Sequence, residues 1–398
     1  MTTKLWQAGA NSSLHSVVEA YTVDDDYKLD QELLGYDIQA SKAHVLMLKS
    51  IDILTSKEAG QLVNALDALH QKWSKGEFVV QKEQEDGHTA IEAYLTEQLG
   101  ETGKKIHTAR SRNDQALVMM RLYLKANLQQ VSEASKQLLA VFKEAANKAG
   151  KTPMPGYTHM QKAMPTTVAS WLTAYADGFA DAKQLVDSTL HIIDQNPLGS
   201  AAGYGISLPI DREHTTKALN FKKTQDNPLY CGLSRGLFEL LAVQALNPIM
   251  LLAGKFAQDM MLFTTQEFDF FSLPDSFTTG SSIMPHKHNY DLFEVMRGHA
   301  HVFGLYAQQL QAISGGVGSG YHRDLQLTKG ITLNAFSTVQ ATLEMLSLAV
   351  SNLVLNKSKL TESITPEMLS VVEINKLVEQ GVPFRDAYTK VKNELEKN

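Results

Sequence analysis

The chain has 398 residues, 43% hydrophobic and 20% charged, a globular balance that excludes a disordered chain and supplies enough length for a sizeable core. Lysine and arginine number 37 against 43 acidic residues, a net charge of −6, so bulk charge gives no grip on nucleic acid or on an anionic membrane. An anionic ligand must be held by a local cationic cluster, and the single cysteine, Cys231, excludes an internal disulfide framework or a CxxC metal site.

The opening MTTKLWQAGANSS has no apolar stretch of signal-peptide length, and no segment reads as the roughly 20 apolar residues that span a bilayer. With one cysteine, this points to a reducing, cytoplasmic setting. Residues 1–107 read as shorter helices with polar connections. One carries Leu33, Ile38, Ala43, Leu46 and Leu48; another runs from Ser56 to His70, with Thr55 or Ser56 as N-cap.

Three stretches almost free of proline and glycine follow, at 114–149, 166–194 and 331–365. Their apolar residues recur at helical spacing: Leu117, Met120, Leu124 and Leu128 in the first, Val168, Leu172, Tyr175 and Phe179 in the second, Phe336, Val339, Leu343 and Leu346 in the third. Between the second and third, helices are expected over about 229–268, where Pro248 should kink or break the run, and over about 291–313. Five long helices predict an all-α chain with an elongated central bundle. Adjacent apolar pairs such as Met119 and Met120 suggest helices buried on two sides, and so a homo-oligomer. The expected organisation is an N-terminal helical domain at 1–107, the bundle at 108–360 and a short C-terminal helical domain at 361–398.

The chemistry is concentrated in the breaks between the long helices. HTARSRNDQ, 107–115, opens the first, and its free amides with Arg110 and Arg112 suit a carboxylate. PGYTHMQKAMP, 155–165, reads as a loop carrying Thr158 and His159, a histidine able to exchange protons near neutral pH. GSSIMPHKHN, 280–289, reads as a mobile loop whose amides and Lys287 could stabilise an anion or a serine alkoxide. The pairs His286/His288 and His299/His301 have no third ligand pattern nearby, so no metal is expected. The glycine-rich run 315–320 lacks a phosphate-loop pattern and reads as a turn.

Together these motifs resemble the fumarase/aspartase superfamily, whose GSSxMPxKxN signature GSSIMPHKHN closely matches. Within it the chain is similar to the argininosuccinate lyases: KLWQ, HTARSRNDQ, PGYTHMQ, LGSAAGYG, PIDRE, YHRDLQ and GVPFRDAY follow in the family's order, over essentially the whole chain. The resemblance implies cleavage of argininosuccinate into arginine and fumarate by β-elimination, without metal or organic cofactor. It also implies a homotetramer whose active sites each draw on three subunits. Its carried-over roles are Ser281 as base, with Ser282 the alternative, and Lys287 and Asn289 stabilising the substrate carboxylate and its aci-form. His159 would assist proton transfer or orient the substrate, and Thr158 would bind a carboxylate. Ser111, Arg112 and Asn113 would hold the acidic portions. Tyr321, Gln326 and Asp30 would meet the arginine-like end. His88 and Glu92, one helical turn apart, would support the site from EDGHTAIE.

Rival readings are a lyase acting on adenylosuccinate or an acylated argininosuccinate, and a non-catalytic structural relative. HTARSRNDQ argues against adenylosuccinate, and the retained His159, Ser281, Lys287 and Asn289 argue against a structural relative. The sequence departs from the family pattern in three places. Lys287 is followed by His-Asn-Tyr-Asp rather than the family's KNPD, Gly236 stands where an aspartate usually follows the arginine, and the C-terminal domain usually continues beyond GVPFRDAY. The last departure implies a short lyase or a sequence lacking its end.

Overall fold

A computed structural model of the chain describes residues 15–396; the KLWQ motif lies outside the described residues. The class is all-α. In chain order, the first helices are α1 (Ser16–Val23), α2 (Asp26–Ser50), α3 (Ser56–Ser74), α4 (Gly87–Leu99) and α5 (Glu101–Lys104). The long α6 (Arg112–Ala149) leads to a hairpin of β1 (Pro153–Thr158) and β2 (Gln161–Thr167), and then to α7 (Val168–Ile193). Next come β3 (Gln195–Asn196), α8 (Arg212–Ala218), β4 (Lys223–Thr224), α9 (Pro228–Leu233) and α10 (Leu237–Phe263). Short strands β5 (Phe271–Ser272), β6 (Thr279–Gly280) and β7 (His288–Asn289) precede α11 (Asp291–Gly315) and α12 (Thr328–Ser351). The chain closes with β8 (Val354–Leu355), α13 (Lys357–Glu362), α14 (Ser370–Glu379) and α15 (Phe384–Leu395).

Two compact units are interleaved along the chain. The first contains the described part of Met1–Val131 with Leu185–Ala245 and Gly304–Ser337. Its core joins Leu34, Ile38, Val45 and Leu48 of α2 to Leu62, Leu66 and Leu69 of α3 and to Ile91 and Leu95 of α4. Each fully buried leucine contributes about 2 kcal/mol. Thr55 caps α3 in a reciprocal capping box with Glu58, satisfying amides that would otherwise be free. Gly35 lets α3 come close: a Cβ there would sit 2.7 Å from the Trp73 ring. The first turns of α6 are buried all round, Ala116 through Leu122.

The second unit comprises Ser132–Gln184, Leu246–Phe303 and the described part of Thr338–Asn398. Its centre is an aromatic cluster drawn from four long helices. Phe142 of α6 meets Phe179 and Tyr175 of α7 and Phe256 of α10, and Phe256 meets Phe293 of α11. Trp171 stacks on Phe271 at 5.1 Å. Trp171 Nε1 and Tyr175 OH both donate to Asp259 Oδ2, at 2.9 and 2.7 Å, so the polar ends of these half-buried rings are satisfied.

Four expectations are corrected. The stretch 331–365 is not one helix: α12 ends at Ser351, because Val354 and Leu355 pair with Ser272 and Phe271 and Asn356 then caps α13. Pro248 lies inside α10 without interrupting it. Residues 155–165 form most of a hairpin, Pro155 facing Pro165 across it, and prolines at those positions hide the alternation that reveals a strand. Finally, α10 is long and apolar enough to cross a membrane, with a mean hydropathy of 1.6 in its most apolar window. Over half of that window is buried within the protein, and its Asp259 is taken up by Trp171 and Tyr175, which is the pattern of a core helix.

Candidate active site

In the first unit, the residues before α6 line a cavity of about 470 Å³ with Gln84, Glu85, His88 and Glu92 from around α4. Ser111 and Arg112 open into it. The start of α6 is fixed by Asp114: its Oδ1 accepts from Ser111 N at 2.9 Å, and its Oδ2 accepts from Gly199 N and Ala201 N, both at 3.0 Å. Burial raises the Asp114 carboxyl above its usual range, against these three donors. The carboxylate pins the LGSAAGYG loop against the first turn of α6. The Ser111 hydroxyl accepts from Asn113 N at 3.3 Å.

Arg112 and His88 stand in a field of carboxylates. Arg112 Nε donates to Asp86 Oδ2 at 2.8 Å, Nη2 reaches the same oxygen, and Nη2 also reaches Glu85 Oε2 at 3.3 Å. Burial works against the guanidinium charge, and Asp86 and Glu85 outweigh it. His88 is likewise penalised by burial, yet Asp37, Asp86 and Asp30 hold its imidazole above the ordinary range. For Asp86, burial is outweighed by His88 and Arg112, which bring its carboxyl down to about 2. Glu92 shares the His88 face of α4, as the spacing implies, and lies 3.3 Å from His107 Nδ1. Arg110 is buried, with Nη1 donating to Ser41 Oγ at 2.9 Å, and burial depresses its pKa.

A second, smaller cavity in the same unit brings Asn113 and Tyr321 together with Ala201, Gly203 and Arg235. The Arg235 guanidinium lies over the Tyr321 ring at 4.6 Å, a cation–π contact that sets the ring's plane. Gly236 has φ +78°, and a Cβ there would meet Ser314 Oγ at 2.2 Å, so the residue after Arg235 must be glycine in this backbone. Gln326 Nε2 donates to the carbonyls of Thr22 and Val23 at 3.2 and 3.3 Å. Asp30 is fully buried and engaged: Oδ2 accepts from Gly87 N at 2.9 Å and Oδ1 from Lys329 Nζ at 2.6 Å. Lys329, which also pairs with Asp26 at 2.8 Å, escaped sequence reasoning. Its only signal is its position just after YHRDLQLT.

The remaining residues lie in the second unit. Thr158 and His159 stand at the tip of the β1–β2 hairpin, where His159 and Met160 both take left-handed backbone angles, φ 52° and 61°. A two-residue turn of that type normally uses glycine or asparagine. Ser281, Ser282 and Lys287 sit on an exposed loop closed by β6 and β7, with Asn289 paired to Thr279 in the ribbon. The Ser281 hydroxyl accepts from Met284 N at 3.1 Å and Ile283 N at 3.4 Å. Among the described residues, no hydrogen bond or ion pair joins this loop to the hairpin tip.

Residues 17–304 match the family model described as Lyase. The chain is 43% identical over 98% of its length to the argininosuccinate lyase of Xanthomonas axonopodis pv. citri, covering 89% of that protein. It is 44% identical over 96% of its length to that of Stenotrophomonas maltophilia, again covering 89%. Among solved structures, an EDDS lyase in complex with formate superposes with a TM-score of 0.81 at 22% identity, over 97% of this chain and 77% of the other. A class II fumarase from Schistosoma mansoni gives 0.79 at 17%, over 94% and 91%. Fold and family match define a lyase of the fumarase/aspartase superfamily. At this identity and coverage, the chain belongs to the argininosuccinate lyase family.

Proposed function

We propose that the chain catalyses the β-elimination of argininosuccinate to arginine and fumarate, a step of arginine biosynthesis. The observation that carries this reading is 43% identity over 98% of the chain to an argininosuccinate lyase, with the family's serine loop and HTARSRNDQ segment both retained. The difficulty of the reaction is negative charge. A proton leaves the carbon beside a carboxylate, the carbanion spreads into that carboxylate, and the C–N bond to the guanidinium then breaks. Fixed donors and cations placed where that charge develops do most of the work.

In this reading Ser281 is the base, its alkoxide supported by the amides of its own loop. Lys287 and Asn289 meet the doubly charged aci-carboxylate. His159, held out on the hairpin tip with Thr158, moves a proton to the leaving nitrogen or orients the substrate. Ser111, Arg112 and Asn113 hold the acidic portions at the start of α6. Tyr321 and Gln326 face the arginine-like end, where Asp30 acts through Lys329 and the start of α4. His88 and Glu92 line the cavity at the start of α6. The central stretch 108–360 carries most of the chemistry, flanked by the smaller helical regions 1–107 and 361–398.

The serine loop is largely exposed and the α6 cavity is lined by polar and charged side chains, which suits completion of each site by other subunits. The assembly is a homotetramer with shared sites, working in the cytoplasm without cofactor. Fumarate absorbance on addition of argininosuccinate tests the reading. Absence of fumarate at high enzyme concentration, with adenylosuccinate cleaved instead, overturns it.

A further inference from the structure

His88 is held at one end only. Its Nδ1 lies 2.5 Å from Asp37 Oδ2, both side chains buried, at 4% and 0% exposure. Its Nε2 is buried and has no partner, although the residue lines the 470 Å³ cavity with Arg110, Ser111 and Arg112. Three more buried atoms of that lining, His107 Nδ1, Arg110 Nε and Gln115 Oε1, are equally without hydrogen-bond partners. Buried polar atoms are seldom left open, and four around one cavity mark a place shaped for a polar ligand.

The charges say which kind. The groups around His88 are Asp30 and Asp37 of α2, Glu85 and Asp86 of the turn before α4, Glu92 of α4 itself, and His107, Arg110 and Arg112 of the segment leading into α6. Asp37, Asp86 and Asp30 raise the affinity of the imidazole for its proton, against burial, and a protonated ring donates from both nitrogens. Asp37 accepts from Nδ1–H, leaving the Nε2–H as a buried donor without a partner on a residue that lines the cavity with the two arginines. A cationic donor beside guanidinium groups is complementary to a carboxylate.

We propose that Asp37 is a positioning residue: by holding His88 through Nδ1, it presents the Nε2–H as the buried donor to a carboxylate of the substrate, alongside Arg110 and Arg112. This rests on the reading above that the cavity receives argininosuccinate. The Asp37–His88 pair is thus part of the anion receptor rather than only a buried link between α2 and α4.

The test combines kinetics with hydrogen exchange at the histidine ring carbon, read by mass spectrometry on the intact assembly. Asp37→Asn keeps a hydrogen-bond acceptor and removes the charge. Its KM for argininosuccinate should lie further above wild type near pH 8 than near pH 6, by up to about tenfold, with kcat little changed, because without the Asp37 charge the imidazole loses its proton at lower pH. The exchange midpoint of His88 should move to lower pH in the same variant. His88→Gln should raise KM about tenfold at both pH values, since its contribution no longer titrates. A KM deficit in Asp37→Asn that is the same at every pH assigns Asp37 a structural role and overturns the proposal. So does an unchanged His88 exchange midpoint, whether or not the wild type releases fumarate. Absence of fumarate from wild type is therefore a separate failure, of the substrate assignment.

Discussion

Lys329 Nζ lies 2.6 Å from Asp30 Oδ1, joining the start of α12 to α2 across 299 residues of sequence. Both side chains are buried, and Asp26 at 2.8 Å completes a triad of one cation and two carboxylates. Removing one member of such a cluster leaves a buried charge unpaired, at a cost of about 3–5 kcal/mol. Lys329→Met, which strands two carboxylates, should therefore lower the unfolding free energy by about that much. Asp30→Asn, which leaves Asp26 to pair with Lys329 and keeps an acceptor for Gly87 N, should cost less. Thermal unfolding and KM measured together separate the roles. A raised KM in Asp30→Asn at unchanged stability would return Asp30 to direct contact with the substrate.

The hairpin tip stores strain where His159 is displayed. Met160 has φ 61°, and a non-glycine residue there costs about 1 kcal/mol. The geometry is enforced from both sides of the tip. Gly156 marks the register shift in β1, where a Cβ would come 2.7 Å from the Met164 carbonyl oxygen, and Lys162 Nζ donates to Ser363 O at 2.7 Å. Met160→Gly should keep both stability and turnover, since glycine accepts the angle but adds entropy to the unfolded chain. Met160→Ile, β-branched in the left-handed region, should lose about 1–2 kcal/mol and reduce kcat. Equal kcat in Met160→Ile and wild type would mean that the turn does not set the position of His159.

The parts of the fold legible in the sequence were those governed by local rules. Helical period located α6, α7 and the body of α12, the capping pattern located the start of α3, and the glycine-rich run 315–320 leads into the turn after α11. Three features depended on partners distant in sequence. The end of α12 is set by strand pairing with Phe271 and Ser272, the continuity of α10 through Pro248 by its packing, and the β1–β2 hairpin by a pairing that prolines disguise. The site divides similarly. Motifs located Ser111, His88 and Glu92, which do share a cavity. No motif indicated that Arg112 is already bound by Asp86 and Glu85, or that Asp30 is consumed by Lys329, because a contact between side chains far apart in sequence leaves no periodic trace.

Asp86 should make the first unit sensitive to acid. Its carboxyl is brought down from the ordinary 3.8 to about 2 by His88 and Arg112, in spite of burial. A depressed carboxylate contributes stability that is fully present above its unfolded pKa and is lost as pH falls through the folded value. The contribution is about 2 kcal/mol at neutral pH. Asp86→Asn should lower the urea midpoint at pH 7, and the gap from wild type should narrow as pH falls from about 4 towards 2. A gap that stays constant over that range would show that the charge of Asp86 is not what stabilises the unit.

Ser281 and Ser282 are neighbours with different surroundings, and that difference orders the expected effects of removing them. The Ser281 hydroxyl accepts from the amides of Met284 and Ile283, donors that would stabilise an alkoxide, whereas Ser282 is exposed and makes no hydrogen bond among the described residues. A serine needs such support to act as a base, because its hydroxyl is a very weak acid. Ser281→Ala should cut turnover by about a thousandfold. Substrate binding should change less than about threefold, since the cationic groups of the α6 cavity are untouched. Ser282→Ala should fall within about tenfold of wild type in kcat, as removal of a neighbouring group that orients rather than reacts. The measurement is fumarate release under single-turnover conditions, with binding followed by calorimetry in the inactive variant. The reverse ranking would move the base to Ser282 and leave the two loop amides to hold Ser281 as part of the loop's own structure.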